Sequence, residues 1–372
     1  MTTTRIQDDL NPYREDSFLG SLVGLAVGDA LGSPAEFKSR QEIAELYGTV
    51  QDYLPRESYT LVAGHEEIEW PAAPAGATTE DTHFALLHAA SLVQTGGKVE
   101  PLDFGPYFVE VLDTPLVNFL GATTLESLQR ARQTNDYQGG INGERAAGNG
   151  VAMRIAPVGL LHVYGQFDRS RFLADCERAA RLTHSNPVAI AAGIAVATAV
   201  RLMSRREIIP EDLMAAALDM MPPGYLGLPL AGNPLRQKLL AAQDYIEERQ
   251  TLVDNVEAGD LSFDFWRIDL NNMERCGTSG YAPETVAAAF YAFAARKDSF
   301  EEAIKLAVNA GGDTDSIAAI TGAIAGAYHG LSAIPVRWRS GLLNYPQVAE
   351  TARALHKTAR SRELTDYAGT GI

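Results

Sequence analysis

The segment Pro187–Met203, "PVAIAAGIAVATAVRLM", constrains the fold more than any other stretch of the chain. It carries one charge, Arg201, and is apolar on nearly every side, so as a helix it has no face to give to water and must be wrapped by others. The wrapping material is present: "HFALLHAASLVQ", "PETVAAAFYAFAA", "SFEEAIKLAVNA" and "SIAAITGAIAGAYHG" are rich in Ala and Leu at helical spacing, with few alternating β-branched runs. The predicted class is all-α. Glycines recur at Gly20, Gly24, Gly28 and Gly32, and again at Gly322 and Gly326, a spacing that lets helix backbones approach closely. Two regions with prolines, 48–78 and 221–235, read as loops. The chain has 372 residues, 46% of them hydrophobic, enough to bury a large core. No repeat, low-complexity tract or linker divides it, so residues 17–372 read as one domain preceded by a polar extension, 1–16.

A net charge of −16 leaves no broad positive field for nucleic acid or an acidic membrane surface. Any phosphate-bearing ligand must therefore be held by local groups or by metal. Cys176 and Cys276 are far apart and lack CxxC spacing, which fits a reducing cytoplasm and neither a disulfide framework nor a zinc ribbon. The N-terminus lacks the basic and apolar regions of a secretory signal. The apolar stretch "FLGSLVGLAVGDALG" is interrupted by Asp29 and falls short of the about 20 residues that a bilayer span needs. These features predict a cytoplasmic globular protein.

Chemistry concentrates in four stretches. In "GGDTDS", Asp313 and Asp315 stand two apart and cannot share a helix face, so a loop must aim them, with Gly311 and Gly312 supplying the backbone freedom. An N-cap aspartate with a solvated neighbour would account for that motif alone. The cluster Thr79, Glu80, Asp81 and Thr82, at the start of another helix, goes further, because adjacent carboxylates gain nothing as caps beyond the first. A hard divalent cation such as Mg²⁺ or Mn²⁺, which takes carboxylate, hydroxyl and water oxygens, accounts for both clusters. In "AAGNGVAMRIAPVGLL", Gly148, Asn149 and Gly150 precede an apolar run, either as a packing turn or as backbone donors for a phosphate. In "LTHSNPVA", His184 comes just before Pro187, as a structural hydrogen-bonder or a site histidine. "DTDS" also has a superficial likeness to the DxDxT of haloacid-dehalogenase-type phosphatases. That motif needs a strand before it, and the preceding "SFEEAIKLAVNA" has helical spacing.

In order along the chain, "GSLVGLAVGDALGSPAEF", "TTEDTHFALLHAASL", "GNGVAMRIAPVGLL", "THSNPVA", "SGYAPETVAAAFYAF" and "GGDTDSIAAITGAIAGAYHG" resemble the ADP-ribosylglycohydrolase family, of the dinitrogenase-reductase-activating type. The resemblance implies an all-α orthogonal multi-helix bundle with a metal centre at helix N-terminal loops. It implies two Mg²⁺ or Mn²⁺ ions and hydrolysis of ADP-ribose from a modified protein side chain, arginine above all. The implied metal ligands are Thr79, Glu80, Asp81, Asp313, Asp315 and Ser316, and the implied catalytic residues Glu36, Asp81, Asp313 and Asp315. Substrate contacts fall on Gly148, Asn149, Gly150, Ala152, Met153, His184 and Tyr281. Two positions depart from the pattern: Glu80 stands where the family usually has Asp, and Asn186 where a second His is common. Glu36, Glu80, Asp81, Asp313 and Asp315 bring five formal negative charges, which two divalent ions would largely offset.

The implied partner is an ADP-ribosylated protein. Two alternatives stay open. One is hydrolysis of O-linked ADP-ribose, on serine or as O-acetyl-ADP-ribose. The other is an ADP-ribose-binding or immunity-type protein that neutralises an ADP-ribosyltransferase toxin by direct contact, motivated by Glu80, the extension 1–16 and the loop 48–78.

Overall fold

The computed structural model describes residues 13–63, 66–221, 232–257 and 263–369. Helices carry nearly all of its regular structure, as the Ala- and Leu-rich segments require. Those that build or brace the site are, in chain order, α1 (Tyr13–Gly32), α2 (Glu80–Gln94), α3 (Ala122–Thr134), α4 (Pro187–Arg205), α5 (Ala282–Ala295), α6 (Thr314–His329) and α7 (Tyr345–Gly369).

Helix α4 is the central helix that its composition demands, buried continuously from Ala189 to Ser204. Its start is well specified. The Asn186 side-chain oxygen accepts from Val188 N–H at 2.8 Å and Ala189 N–H at 3.3 Å, and Pro187 occupies the first turn, where no N–H is needed.

Helices α1 and α6 come from opposite ends of the chain and meet at backbone distance. A Cβ on Gly24 would lie 2.3 Å from the Gly322 carbonyl oxygen, and one on Gly28 only 2.0 Å from that of Ala318. Gly20 meets Gly326 in the same way, so one residue number climbs as the other falls and the pair is antiparallel. The glycine spacing is thus a groove in α1 that α6 fills, and it delivers the end of α1 to the start of α6.

Two strands depart from the loop reading of 48–78. β1 (Tyr59–Ala63) pairs antiparallel with β2 (Glu66–Trp70), Tyr59 opposite Trp70. Below them Arg56 and Ala73 exchange both backbone hydrogen bonds at 2.9 Å. The strand sequences YTLVA and EEIEW do not alternate strictly between apolar and polar residues, so the two-residue period does not stand out. Of the other predicted loop, residues 222–231 lie outside the described residues, and Pro234 opens a helix, Pro234–Glu257. Helix α1 begins at Tyr13, so the end of the predicted extension is its first turn, where the Asp16 carboxylate accepts the Leu331 N–H at 3.2 Å. Residues 1–12 lie outside the described residues.

The segment containing "FLGSLVGLAVGDALG" is longer than its apolar letters suggest. Glu15–Ala35 and α4 are each long and apolar enough to cross a membrane by composition, and 100% and 94% of those apolar windows are buried inside the fold.

Candidate active site

The antiparallel register of α1 and α6 assembles the first carboxylates. A Cβ on Gly32 would lie 2.4 Å from the Thr314 carbonyl oxygen, and the Thr314 hydroxyl donates to the Gly32 carbonyl at 2.9 Å. After Gly32 a single turn, Ser33–Ala35, leads to Glu36. Phe37 N–H donates to the Gly312 carbonyl and Gly312 N–H to the Lys38 carbonyl, both at 2.8 Å. Gly311 and Gly312 hold φ of 83° and 80°, left-handed backbone that glycine adopts without a Cβ clash. This loop sets Asp313 and Asp315 beside Glu36, and one carboxylate oxygen from each lies within 4.8 Å of the other two.

The second cluster is held by a residue that the motifs do not single out. Asp29, fully buried near the end of α1, accepts Thr79 N–H through both oxygens at 3.0 and 3.1 Å, Thr82 N–H at 3.1 Å and the Thr82 hydroxyl at 2.5 Å. It caps α2 from a neighbouring helix and so aims Glu80 and Asp81. Thr79 adds a local cap, its hydroxyl accepting Asp81 N–H at 3.3 Å. The Ser316 hydroxyl donates to Asp81 Oδ2 at 2.9 Å, tying α6 to α2. The sequence signal for Asp29 is a carboxylate inside an otherwise apolar helix.

Burial, reinforced by the neighbouring carboxylates, pushes the carboxyls of Glu36, Glu80, Asp81 and Asp315 well above their ordinary range. Among the described residues, Glu36 Oε2 and Glu80 Oε2 are buried without a hydrogen-bond partner. Crowded oxygen donors with orphaned lone pairs are what a hard divalent cation requires, so the residues present fit one. Glu80 and Asp81 fall outside the 4.8 Å group, which contains Glu36 in addition to the two aspartates of "DTD".

Four of these carboxylates line a cavity of 380 Å³. Glu36, Glu80, Asp313, Asp315 and Ser316 contribute one part of the lining, and Gly148, Asn149, Gly150, Met153 and His184 another. Asn149 joins the two: its amide donates to Asp313 Oδ2 at 2.7 Å and to the Thr285 hydroxyl at 3.1 Å. Burial, with the Arg154 cation beside it, pushes the His184 imidazole down to about 3, so it stands neutral with Nδ1 2.8 Å from the Thr183 hydroxyl. It is a hydrogen-bonding wall at neutral pH rather than a proton carrier.

Four predicted residues stand off the cavity surface. Thr79 and Asp81 lie beneath it, held by their α2 caps, and Ala152 is buried in the turn Ala152–Arg154. Tyr281 precedes α5, where its backbone pairs with Gly148. Sequence reasoning misses Trp70, Phe119, Arg145 and the start of α3, which line the cavity from segments without a chemical motif. It also misses Arg154. This fully buried guanidinium donates to the Gly150 carbonyl, to Ala179 O at 3.2 Å and to the Thr183 hydroxyl at 3.0 Å, bracing the glycine turn against the His184 turn.

A family model described as ADP-ribosylglycohydrolase matches residues 10–365. The chain belongs to the ADP-ribosylglycohydrolase family. It is 30% identical to a protein of Archaeoglobus fulgidus over 92% of this chain and 97% of that one. It is 27% identical to the ADP-ribosylarginine hydrolase Tri1 of Serratia proteamaculans, over 94% of this chain and 81% of the relative. A solved structure, an ADP-ribosylglycohydrolase-related protein complex, superposes with a TM-score of 0.66 at 31% identity, covering 93% of this chain and 99% of that one. The family acts on ADP-ribosylated substrates.

In this family member the two departures from the family pattern have physical counterparts. Glu80 lines the cavity and keeps one buried oxygen, Oε2, without a hydrogen-bond partner. Asn186 serves as the cap of α4 and donates its amide to the Gly143 carbonyl at 2.8 Å, a structural task.

Proposed function

We propose that this protein hydrolyses the glycosidic bond between ADP-ribose and the arginine side chain of a modified protein. In this reading two Mg²⁺ or Mn²⁺ ions are held by Thr79, Glu80, Asp81, Asp313, Asp315 and Ser316. The observation that carries it is the convergence of Glu36, Asp313 and Asp315 oxygens within 4.8 Å in a cavity that a glycine turn also lines. Bound divalent cations would offset the repulsion among these carboxylates, orient the ribose hydroxyls and make a water more acidic.

The chain's own residues do the rest. Gly150 lets its turn pack directly on His184, since a Cβ there would come 2.9 Å from His184 Cε1, and in this reading the nucleotide lies along the cavity lining that Gly148, Gly150 and His184 share. Asn149 fixes Asp313, and Ser316 fixes Asp81. As the bond from ribose C1 to the guanidine nitrogen loosens, its electron pair leaves with nitrogen. The Glu36 and Asp315 carboxylates stabilise the positive charge that develops on the ribose. Glu36 orients the attacking water and takes its proton as the new C–O bond forms, and the proton passes on to the departing arginine. A cytoplasmic setting belongs to the same proposal, supported by two buried free thiols, Cys176 and Cys276.

The test is release of ADP-ribose from arginine-, serine- and O-acetyl-linked substrates with Mg²⁺, Mn²⁺ or a chelator. Release from the arginine linkage, lost with chelator and restored by metal, is the expected result. Release that persists in chelator removes the metal from the mechanism, and release from O-linkages alone removes arginine.

A further inference from the structure

We infer that Phe37, Trp70 and Phe119 form the subsite for the acceptor side chain, an aromatic wall that receives a guanidinium and so selects arginine over hydroxyl-bearing acceptors. The inference rests on the hydrolase reading above and adds the residues that choose the acceptor.

Three rings from three unrelated segments converge on the same cavity. Phe37 follows Glu36, Trp70 ends β2, and Phe119 ends a short turn, Pro115–Phe119. The rings form a stepped wall, Phe37 edge-on to Trp70 at 5.4 Å and 81°, Trp70 edge-on to Phe119 at 5.1 Å and 70°. Trp70 and Phe119 are buried, whereas Phe37 is 48% exposed. Phe37 is also held at φ 60°, a region unfavourable to a bulky side chain, by the N–H bond to Gly312 that builds the acidic loop. An exposed aromatic ring kept in unfavourable backbone beside a carboxylate cluster is a feature that packing does not explain. The hairpin points the same way, since it is the one sheet among the described residues and its last residue supplies the middle ring.

Charge says what the wall receives. The cavity that the rings line carries Glu36, Glu80, Asp313 and Asp315 against one cation, Arg145, so a guanidinium entering it meets aromatic rings and an excess of negative charge. One ring face is already taken by a guanidinium from within the chain, which leaves Phe37 and Trp70 as the rings for an incoming one. Arg56 sits 4.3 Å from the Phe119 ring centroid, bonded to the Ser33 hydroxyl at 2.6 Å and the Pro71 carbonyl at 3.0 Å, and it does not line the cavity. Phe37 directly follows Glu36 in the chain, and both line the cavity, so in this proposal the acceptor side chain lies on the Glu36 side of the scissile bond. A serine hydroxyl offers this wall neither charge nor plane.

The experiment pairs hydrolysis of ADP-ribosyl-arginine and ADP-ribosyl-serine peptides with calorimetric binding of free ADP-ribose, for the metal-loaded wild type and for Phe37→Ala, Phe37→Leu and Phe37→Trp. The exposure of Phe37 keeps these variants folded. The expected result is a rise in KM for the arginine peptide of about 10-fold in the Ala and Leu variants, recovery in the Trp variant, and ADP-ribose affinity within about twofold throughout. A parallel loss of ADP-ribose affinity would move the wall to the nucleotide and overturn the inference, as would a Leu variant that matches wild type or a wild type that prefers the serine peptide. Release from neither peptide by wild type is a different failure: it overturns the hydrolase reading itself.

Discussion

Asp29 shows how much one buried carboxylate can do at the scale of a residue. Its oxygens satisfy two backbone donors and a hydroxyl at the mouth of α2, yet its charge adds to the repulsion on Glu80 and Asp81. The two effects have opposite signs and two variants separate them. Asp29→Ala strands all three donors and should destabilise the protein by about 2–4 kcal/mol in urea unfolding. Asp29→Asn keeps an acceptor and removes the charge, and should cost about 1 kcal/mol. Glu80 poses the complementary question. Shortening it with Glu80→Asp draws back an oxygen that has no partner, and ADP-ribose release is expected to stay equal or rise; complete loss would mean that the longer reach is required.

Between elements, the contact of α1 with α6 decides whether a site exists at all. Gly28→Ala would press a methyl group against the Ala318 backbone at 2.0 Å, and backbone cannot swing aside as a side chain does. The helices must part, and a loss of about 3 kcal/mol or more is expected in thermal or urea unfolding. Gly121→Ala is the control. Its Cβ would meet nothing within 4 Å, its φ is −57°, and the expected change is under about 1 kcal/mol. Because Glu36 and Asp313 lie at the ends of these two helices, Gly28→Ala should also weaken Mn²⁺ binding by calorimetry. Periodicity revealed these helices and the glycine stripe, since both are repeats within one segment. The hairpin escaped because its strands, YTLVA and EEIEW, do not alternate strictly between apolar and polar residues.

For the whole molecule, burial sets a pH dependence. His184 in the folded protein titrates near 3, against an ordinary value of about 6.5, so between these limits the unfolded chain binds the extra proton. Stability contributed by His184 is therefore full above pH 6.5 and lost as pH falls. Relative to a His184→Asn variant, wild type should lose about 1.4 kcal/mol per pH unit below pH 6, measured by urea unfolding at pH 7, 6 and 5. A parallel pair of curves would mean that the imidazole reaches solvent.

What the sequence determined by itself was local: the helical class, a central helix with no wet face, a glycine groove, two acidic clusters at helix starts, and an ordered set of motifs that fixed the family. Each depends on residues a few positions apart. Tertiary structure alone decided the antiparallel register that places Glu36 beside Asp313, the capping of α2 by Asp29 from 50 residues away, and the meeting of Phe37, Trp70 and Phe119. Those arrangements are distances between segments remote in the chain. They are set by how closely backbones pack and which buried donors need an acceptor, and no periodicity within a segment encodes them.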